Sequence, residues 1–133
     1  MLARVAKLHR QRAEELLTEI GLHVGQEMLL AALQDNDGIS QSELADCLMI
    51  QPSTVTNSLK RMERAGIVMR RVDSEDQRIT RVHITEKGQN LNQAVREQWS
   101  RLEDNSFHGF SMEERVLLRR LLIQTYQNLA NRR

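Results

Sequence analysis

The sequence predicts a mainly α-helical fold with one small antiparallel β hairpin, ordered as a winged helix-turn-helix with further helices on either side. Three observations carry that expectation. Apolar residues recur at helical spacing through most of the chain. Two S-x-x-E boxes, Ser40 to Glu43 and Ser111 to Glu114, mark helix starts, because the serine hydroxyl and the glutamate carboxylate can each satisfy an unpaired backbone N–H. Between residues 67 and 84 the apolar period drops to two, around a wholly polar centre.

The first helix is expected over residues 2–20, where Leu2, Val5, Ala6, His9, Ala13, Leu16, Leu17 and Ile20 share one stripe. Gly21 ends it, as glycine does just past a helix. A second helix is expected from about Val24 to Gln34, with Met28, Leu29, Ala32 and Leu33 inward, and Asp35-Asn36-Asp37-Gly38 forms a turn. Ser40 then caps a third helix carrying Leu44, Ala45 and Leu48. Pro52, the chain's only proline, suits the first turn of a fourth helix, which sets Val55, Leu59 and Met62 on one face and stops at Gly66. Strands follow at 67–72 and 79–84, with Asp73-Ser74-Glu75-Asp76-Gln77 as the hairpin tip. Thr85 is the expected N-cap of a long helix through Leu91, Ala94, Val95, Trp99 and Leu102. Ser111 opens the last helix, whose Val116, Leu117, Leu118, Leu121, Leu122, Ile123, Tyr126 and Leu129 make an apolar stripe too wide for one-sided burial in a small domain.

Composition narrows the class of molecule. The chain has 133 residues, 40% hydrophobic and 28% charged, as in an ordinary globular protein, and a formal net charge of +1 that says nothing about partners. A single cysteine, Cys47, excludes an internal disulfide, and its expected role is that of a small buried apolar residue. No apolar run approaches the roughly 20 residues of a membrane span, and the N-terminus lacks a signal-peptide block, so the cytoplasm is the default compartment. His9, His23, His83 and His108 form no close pair and there is no C-x-x-C, so neither a metal site nor a cofactor is expected. With no phosphate loop and no local nucleophile–base arrangement, an enzyme is not expected either.

The fourth helix has a polar face of unusual make-up. Ser53, Thr54, Thr56, Asn57 and Ser58 are short donors and acceptors near its start, and Lys60 and Arg61 are long cations further on. Short side chains let a helix approach base edges in a major groove, and longer cations reach flanking phosphates. From residue 51 to 84 the cations Lys60, Arg61, Arg64, Arg70, Arg71, Arg78 and Arg81 outnumber the anions Glu63, Asp73, Glu75 and Asp76, the footprint of phosphate contact on a chain that is otherwise nearly neutral. Arg78 beside Asp76 reads in two ways: an exposed ion pair of little consequence, or an arginine held extended to enter a narrow minor groove. Spacing alone leaves these readings even. Winged helices also serve as protein-docking modules, which would have no need of the cationic excess.

The ordered motifs resemble the MarR family of bacterial transcriptional regulators. They are Gly21-Leu22 with Gln26, Ser42-Glu43-Leu44-Ala45, Pro52-Ser53-Thr54-Val55-Thr56, Leu59 to Gly66, Val68 with Arg70, Asp76-Gln77-Arg78 and Ile84-Thr85-Glu86-Lys87-Gly88. They span roughly half the chain. The resemblance implies a homodimer on a palindromic double-stranded DNA operator. Residues 1–20 and 85–133 would form the helical dimerisation region and 21–84 the DNA-binding domain. Gln51, Ser53, Thr54, Thr56 and Asn57 would face the major groove. Ser40, Ser42, Lys60, Arg61, Arg70 and Arg71 would anchor phosphates, and Arg78, steadied by Asp76, would enter the minor groove. It further implies a repressor released by a small amphipathic or phenolic ligand, for which Met28, Trp99, Phe107 and Phe110 are the candidate lining, against the simpler reading that they fill the core. Three departures stand out. Met49 occupies a turn position where glycine is common, and it is strained if that position needs a positive φ. His23 replaces the Thr or Ser that usually caps its helix. The first helix begins at the start of the chain, so the N-terminal dimer contacts are expected to be reduced or the chain truncated.

Overall fold

A computed structural model describes residues 1–131. Six helices and one hairpin follow in the order α1 Leu2–Glu19, α2 Gln26–Asp35, α3 Gln41–Leu48, α4 Pro52–Arg64, β1 Val68–Val72, β2 Thr80–Ile84, α5 Glu86–Ser106 and α6 Met112–Ala130. They make two compact units, residues 1–99 and residues 100 onward. Among the described residues no helix is long and apolar enough to cross a membrane.

The first unit closes around one core. Leu17 of α1, Leu29, Leu30 and Leu33 of α2, Leu44 of α3, Val55, Leu59 and Met62 of α4, Val68 and Val82 of the hairpin and Val95 of α5 are all buried in it, with Leu91 and Trp99 against its edge. On α4 the buried residues fall where the sequence period expects them. On α2 they do not. Gln26, Leu29, Leu30 and Leu33 are buried, and Met28 is 45% exposed, so the inward placement of Met28 is corrected. The helix also starts two residues later than expected. Gly25, at φ 98°, is its N-cap, and Gln26 turns its side-chain oxygen back to the His23 N–H at 3.0 Å. Thus His23 is not the cap, and Leu30 rather than Met28 faces the core.

α1, α3 and α4 end in the same way. An N–H two or three residues past each helix returns to the carbonyl five residues back: Leu22 to Leu17, Ile50 to Ala45 and Ile67 to Met62. This closure requires a left-handed residue just past the helix, because only that conformation turns the chain back over the last carbonyls. Gly21 (φ 82°) and Gly66 (φ 76°) supply it for α1 and α4, and Met49 (φ 53°) for α3. The condition under which Met49 is strained is therefore met.

The hairpin pairs Val68 with Ile84 and Val72 with Thr80 in antiparallel register. Residues 38–40 extend it: Gly38 N–H donates to the Val82 carbonyl, Val82 N–H donates to the Ile39 carbonyl, and Ser40 forms a bridge with Arg81. The hairpin root is fixed by Thr85, whose hydroxyl lies 2.7 Å from the Gly66 carbonyl and 2.8 Å from that of Ile67, and accepts the Gly88 N–H of α5. In the second unit the Ser111–Glu114 capping box is complete in both directions. No residue of α6 is buried, and Val116, Leu117, Leu121, Leu122, Ile123, Tyr126 and Leu129 are all exposed. On α1 only Ala13 and Leu17 of the expected stripe are buried, while Leu2, Val5 and Leu8 are exposed.

Candidate nucleic-acid interface

The outward side of α4 follows from its inward side. Because Val55, Leu59 and Met62 are buried, the helical period sends Ser53, Asn57, Lys60 and Arg64 outward along one ridge, flanked by Thr54 and Arg61. All six are exposed. Arg64 is absent from the set expected from sequence, although its spacing of seven from Asn57 was enough to find it. At the helix start Gln51 supplies no side-chain cap and Pro52 has no N–H, while the Thr54 and Val55 N–H groups both turn back to the Gln51 carbonyl, at 3.0 and 3.1 Å.

Three of the expected DNA-facing residues are engaged inside the protein instead. Thr56 is half-buried: its hydroxyl donates to the Pro52 carbonyl at 2.9 Å and accepts from Gln41 Nε2 at 3.4 Å. Ser40 is buried, and its hydroxyl accepts the Glu43 N–H at 3.1 Å as the cap of α3. Arg70 has a side chain only 20% exposed; it donates to Glu63 Oε1 at 3.1 Å and to Gln41 Oε1 at 3.3 Å. Ser42, Gln51 and Arg71, by contrast, are exposed.

The wing tip is built from carboxylates that order the backbone. Asp73 Oδ1 accepts the N–H groups of Glu75 (2.8 Å) and Asp76 (3.1 Å), and Oδ2 accepts Arg81 Nε at 2.6 Å. Arg81 also donates to the Gly38 carbonyl at 3.0 Å, tying the tip to the turn before α3. The Arg81 guanidinium and these two N–H groups hold the Asp73 carboxyl down to about 2, and Asp73 in turn raises Arg81. Asp76 grips Arg78 and is itself held below the usual carboxylate range by that guanidinium. The Asp76–Arg78 pair, two residues apart, is legible in the sequence, whereas Arg81 and Gln41 meet partners far along the chain.

The remaining candidates are divided between the two units. Met28 and Trp99 belong to the first unit. Phe107 and Phe110 belong to the second, their ring centroids 5.7 Å apart. Phe107 borders a cleft of about 870 Å³ whose lining includes Arg115, Arg119, Leu122 and Tyr126. Cys47 is exposed, so its expected role as a small buried residue is corrected. Among the described residues there is no group of His, Cys, Asp or Glu placed to hold a metal ion.

Comparison with known proteins agrees with this architecture. The MarR family model matches residues 22–80. The transcriptional repressor IacR of Pseudomonas putida is 34% identical over 128 residues, covering 96% of this chain and 77% of IacR. A MarR family protein from Bacillus stearothermophilus superposes with a TM-score of 0.82 at 30% identity, over 98% of this chain and 91% of that one. An S. aureus MepR mutant bound to an oligodeoxyribonucleotide superposes with a TM-score of 0.68 at 25% identity, over 96% of this chain and 94% of that one. With α3 and α4 as its helix-turn-helix and β1–β2 as its wing, the chain belongs to the MarR family of transcriptional regulators, non-enzymatic proteins built on a helix-turn-helix DNA-binding fold.

Proposed function

We propose that this chain is a homodimeric repressor that binds a palindromic double-stranded DNA site sequence-specifically and acts in the cytoplasm. The observation that carries the reading is the exposed ridge Ser53–Asn57–Lys60–Arg64, on a helix without a side-chain N-cap, together with an arginine held out at the wing tip. Ser53, Thr54 and Asn57 are short enough to meet base edges, with Gln51 beside them. Ser42, Lys60, Arg61 and Arg71 serve the phosphates, and Arg78 takes the minor groove. DNA in the MepR complex and the repressor name of IacR support the same reading.

The dimer rests on the apolar face of α6, unburied along its whole length, and on exposed Leu2, Val5 and Leu8 of α1. A helix that leaves so wide an apolar face exposed carries the mark of an interface. Two-fold pairing would set two copies of α4 about 34–36 Å apart, one turn of DNA. Release by an effector is the finer part of the proposal. The cleft beside Phe107 sets Arg115 and Arg119 among Leu122 and Tyr126, a mixture suited to an amphipathic or phenolic molecule.

Selection of bound sites from a random duplex pool, with sedimentation of the purified protein, tests the core of this. A two-fold symmetric consensus bound by a dimer is expected. Recovery of no preferred sequence, or a monomer at micromolar concentration, would remove the reading and favour a protein-docking module.

A further inference from the structure

Arg70 lies in a basic strand of the wing, yet its side chain runs inward and meets two helices. Its N–H donates to Glu63 Oε2 at 3.1 Å and its Nη2 to Glu63 Oε1 at 3.1 Å, so one carboxylate of α4 receives both the backbone and the side chain of the same β1 residue. Its Nη1 donates to Gln41 Oε1 at 3.3 Å, and the Gln41 amide passes on to Thr56 Oγ1 of α4 at 3.4 Å. The Nε is buried and meets no protein acceptor. Glu63 is held below its usual range, first by the hydrogen bond from the Arg70 side chain. This arrangement links the first residue of α3, two turns of α4 and the middle of β1 through one guanidinium.

We propose that Arg70, Glu63 and Gln41 form a positioning clamp that fixes the wing root against the recognition helix, and that none of the three contacts DNA. The inference rests on the DNA-binding reading above and deepens it. Base-edge contact by α4 and groove entry by Arg78 lie on different elements, so simultaneous engagement depends on the spacing between those elements. A loosened root leaves each contact available but lowers the fraction of molecules in which both can form, and binding falls by that fraction.

The sign of the Glu63 effect separates this clamp from ordinary electrostatics. Glu63 is an acid on the helix meant to approach phosphates, so deleting it by charge alone would tighten binding. As a clamp residue it does the reverse. Glu63→Ala is expected to weaken operator binding about tenfold, with Glu63→Gln in between because the amide oxygen still accepts from Arg70. The slope of log K against log salt is expected to stay at the wild-type value for Glu63→Ala and Arg70→Gln, because no phosphate contact is lost. Arg78→Ala is expected to cost less affinity in the Glu63→Ala background than in wild type, since an unclamped tip has already lost part of its groove contact.

Amide hydrogen exchange on the DNA-free protein keeps this test independent of the functional reading. The Arg70 amide should exchange faster in Glu63→Ala while the core amides of α2 are unchanged. Tighter binding by Glu63→Ala, or a slope that falls by about 0.9 in Arg70→Gln as one lost phosphate contact requires, would overturn the clamp. Unchanged Arg70 exchange would overturn it whether or not the wild type binds DNA. Failure of the wild type to bind any duplex, with Arg70 exchange accelerated, would remove the DNA reading and leave the coupling of wing to helix standing.

Discussion

Asp76 holds Arg78 through three hydrogen bonds, from the Arg78 N–H to Oδ1 at 3.0 Å, from Nε to Oδ1 at 3.1 Å and from Nη2 to Oδ2 at 3.1 Å. The Arg78 side chain is nevertheless 90% exposed. An ion pair so open to water contributes little to stability, so its use lies in presentation. A bidentate grip uses the Nε and Nη2 edges and leaves Nη1 outward, already extended before a groove arrives. Arg78→Ala should therefore weaken operator binding by roughly 1–3 kcal/mol while the midpoint of urea unfolding stays at the wild-type value. Asp76→Ala should weaken binding by less, because the arginine remains but must be ordered on binding. Fluorescence anisotropy at fixed salt reads both. Equal affinities for wild type and Arg78→Ala would remove the minor-groove role.

Met49 carries a conformation that Gly21 and Gly66 carry at the equivalent places of α1 and α4. It is 84% exposed, so little packing compensates for the left-handed backbone. A left-handed non-glycine residue is disfavoured by roughly 1–2 kcal/mol, and glycine restores part of this after its own entropic cost. Met49→Gly should stabilise the fold by about 0.5–1 kcal/mol, read as a higher urea midpoint at unchanged m-value. Gly66→Ala, the opposite change at the matching position, should destabilise it by about 1 kcal/mol.

Much of the fold could be read from the sequence because its signals are local. Ser111 with Glu114, Pro52, Gly21 and Gly66 mark helix ends within a few residues of themselves, and Val55, Leu59 and Met62 declare a face by period alone. The start of α2 was not legible, because its cap is Gly25 in a left-handed conformation and the responsible side chain, Gln26, bonds backwards to His23. The candidate site divides in the same way. Asp76 and Arg78 are two residues apart and could be paired on sight. Arg70 read as one more surface cation, since its partners Gln41 and Glu63 lie 29 and 7 residues away and only the folded hairpin brings them to it. Ser40, read rightly as the cap of α3 but also as a phosphate contact, and Thr56 show the same limit. Short hydroxyls suit base edges and backbone caps equally well, and burial alone decides between them.

Gly88 marks where α5 passes the root of the wing. A Cβ there would press on the Ile67 carbonyl oxygen and lie 2.8 Å from Ile84 Cγ1. The obstacle is backbone, and that same carbonyl lies against the Thr85 hydroxyl, so the strand cannot move aside without losing the cap of α5. Alanine is ordinarily favourable within a helix, but here overpacking should dominate. Gly88→Ala should destabilise the first unit by about 1–3 kcal/mol, measured by chemical denaturation. A gain in stability, as helix propensity alone would give, would show that α5 and the hairpin root are less closely packed than these distances require.

Asp73 should make the wing tip sensitive to acid. Its carboxyl is lowered from an ordinary 3.8 to about 2, chiefly by Arg81, so the folded tip binds the proton less readily than the unfolded chain does. A carboxylate depressed in this way stabilises the fold fully above the unfolded value, and that contribution disappears as pH falls from about 4 through about 2. Stability should therefore drop across this interval in wild type. Part of the drop should vanish in Asp73→Asn, which cannot titrate and starts from a lower stability at pH 7. Because Asp73 Oδ1 also holds the N–H groups of Glu75 and Asp76, protonation should loosen the tip before the core opens. Carboxyl carbon chemical shifts followed against pH, alongside amide exchange at residues 74–78, measure the two together. An Asp73 midpoint near 4 would mean that Arg81 does not hold the tip in solution.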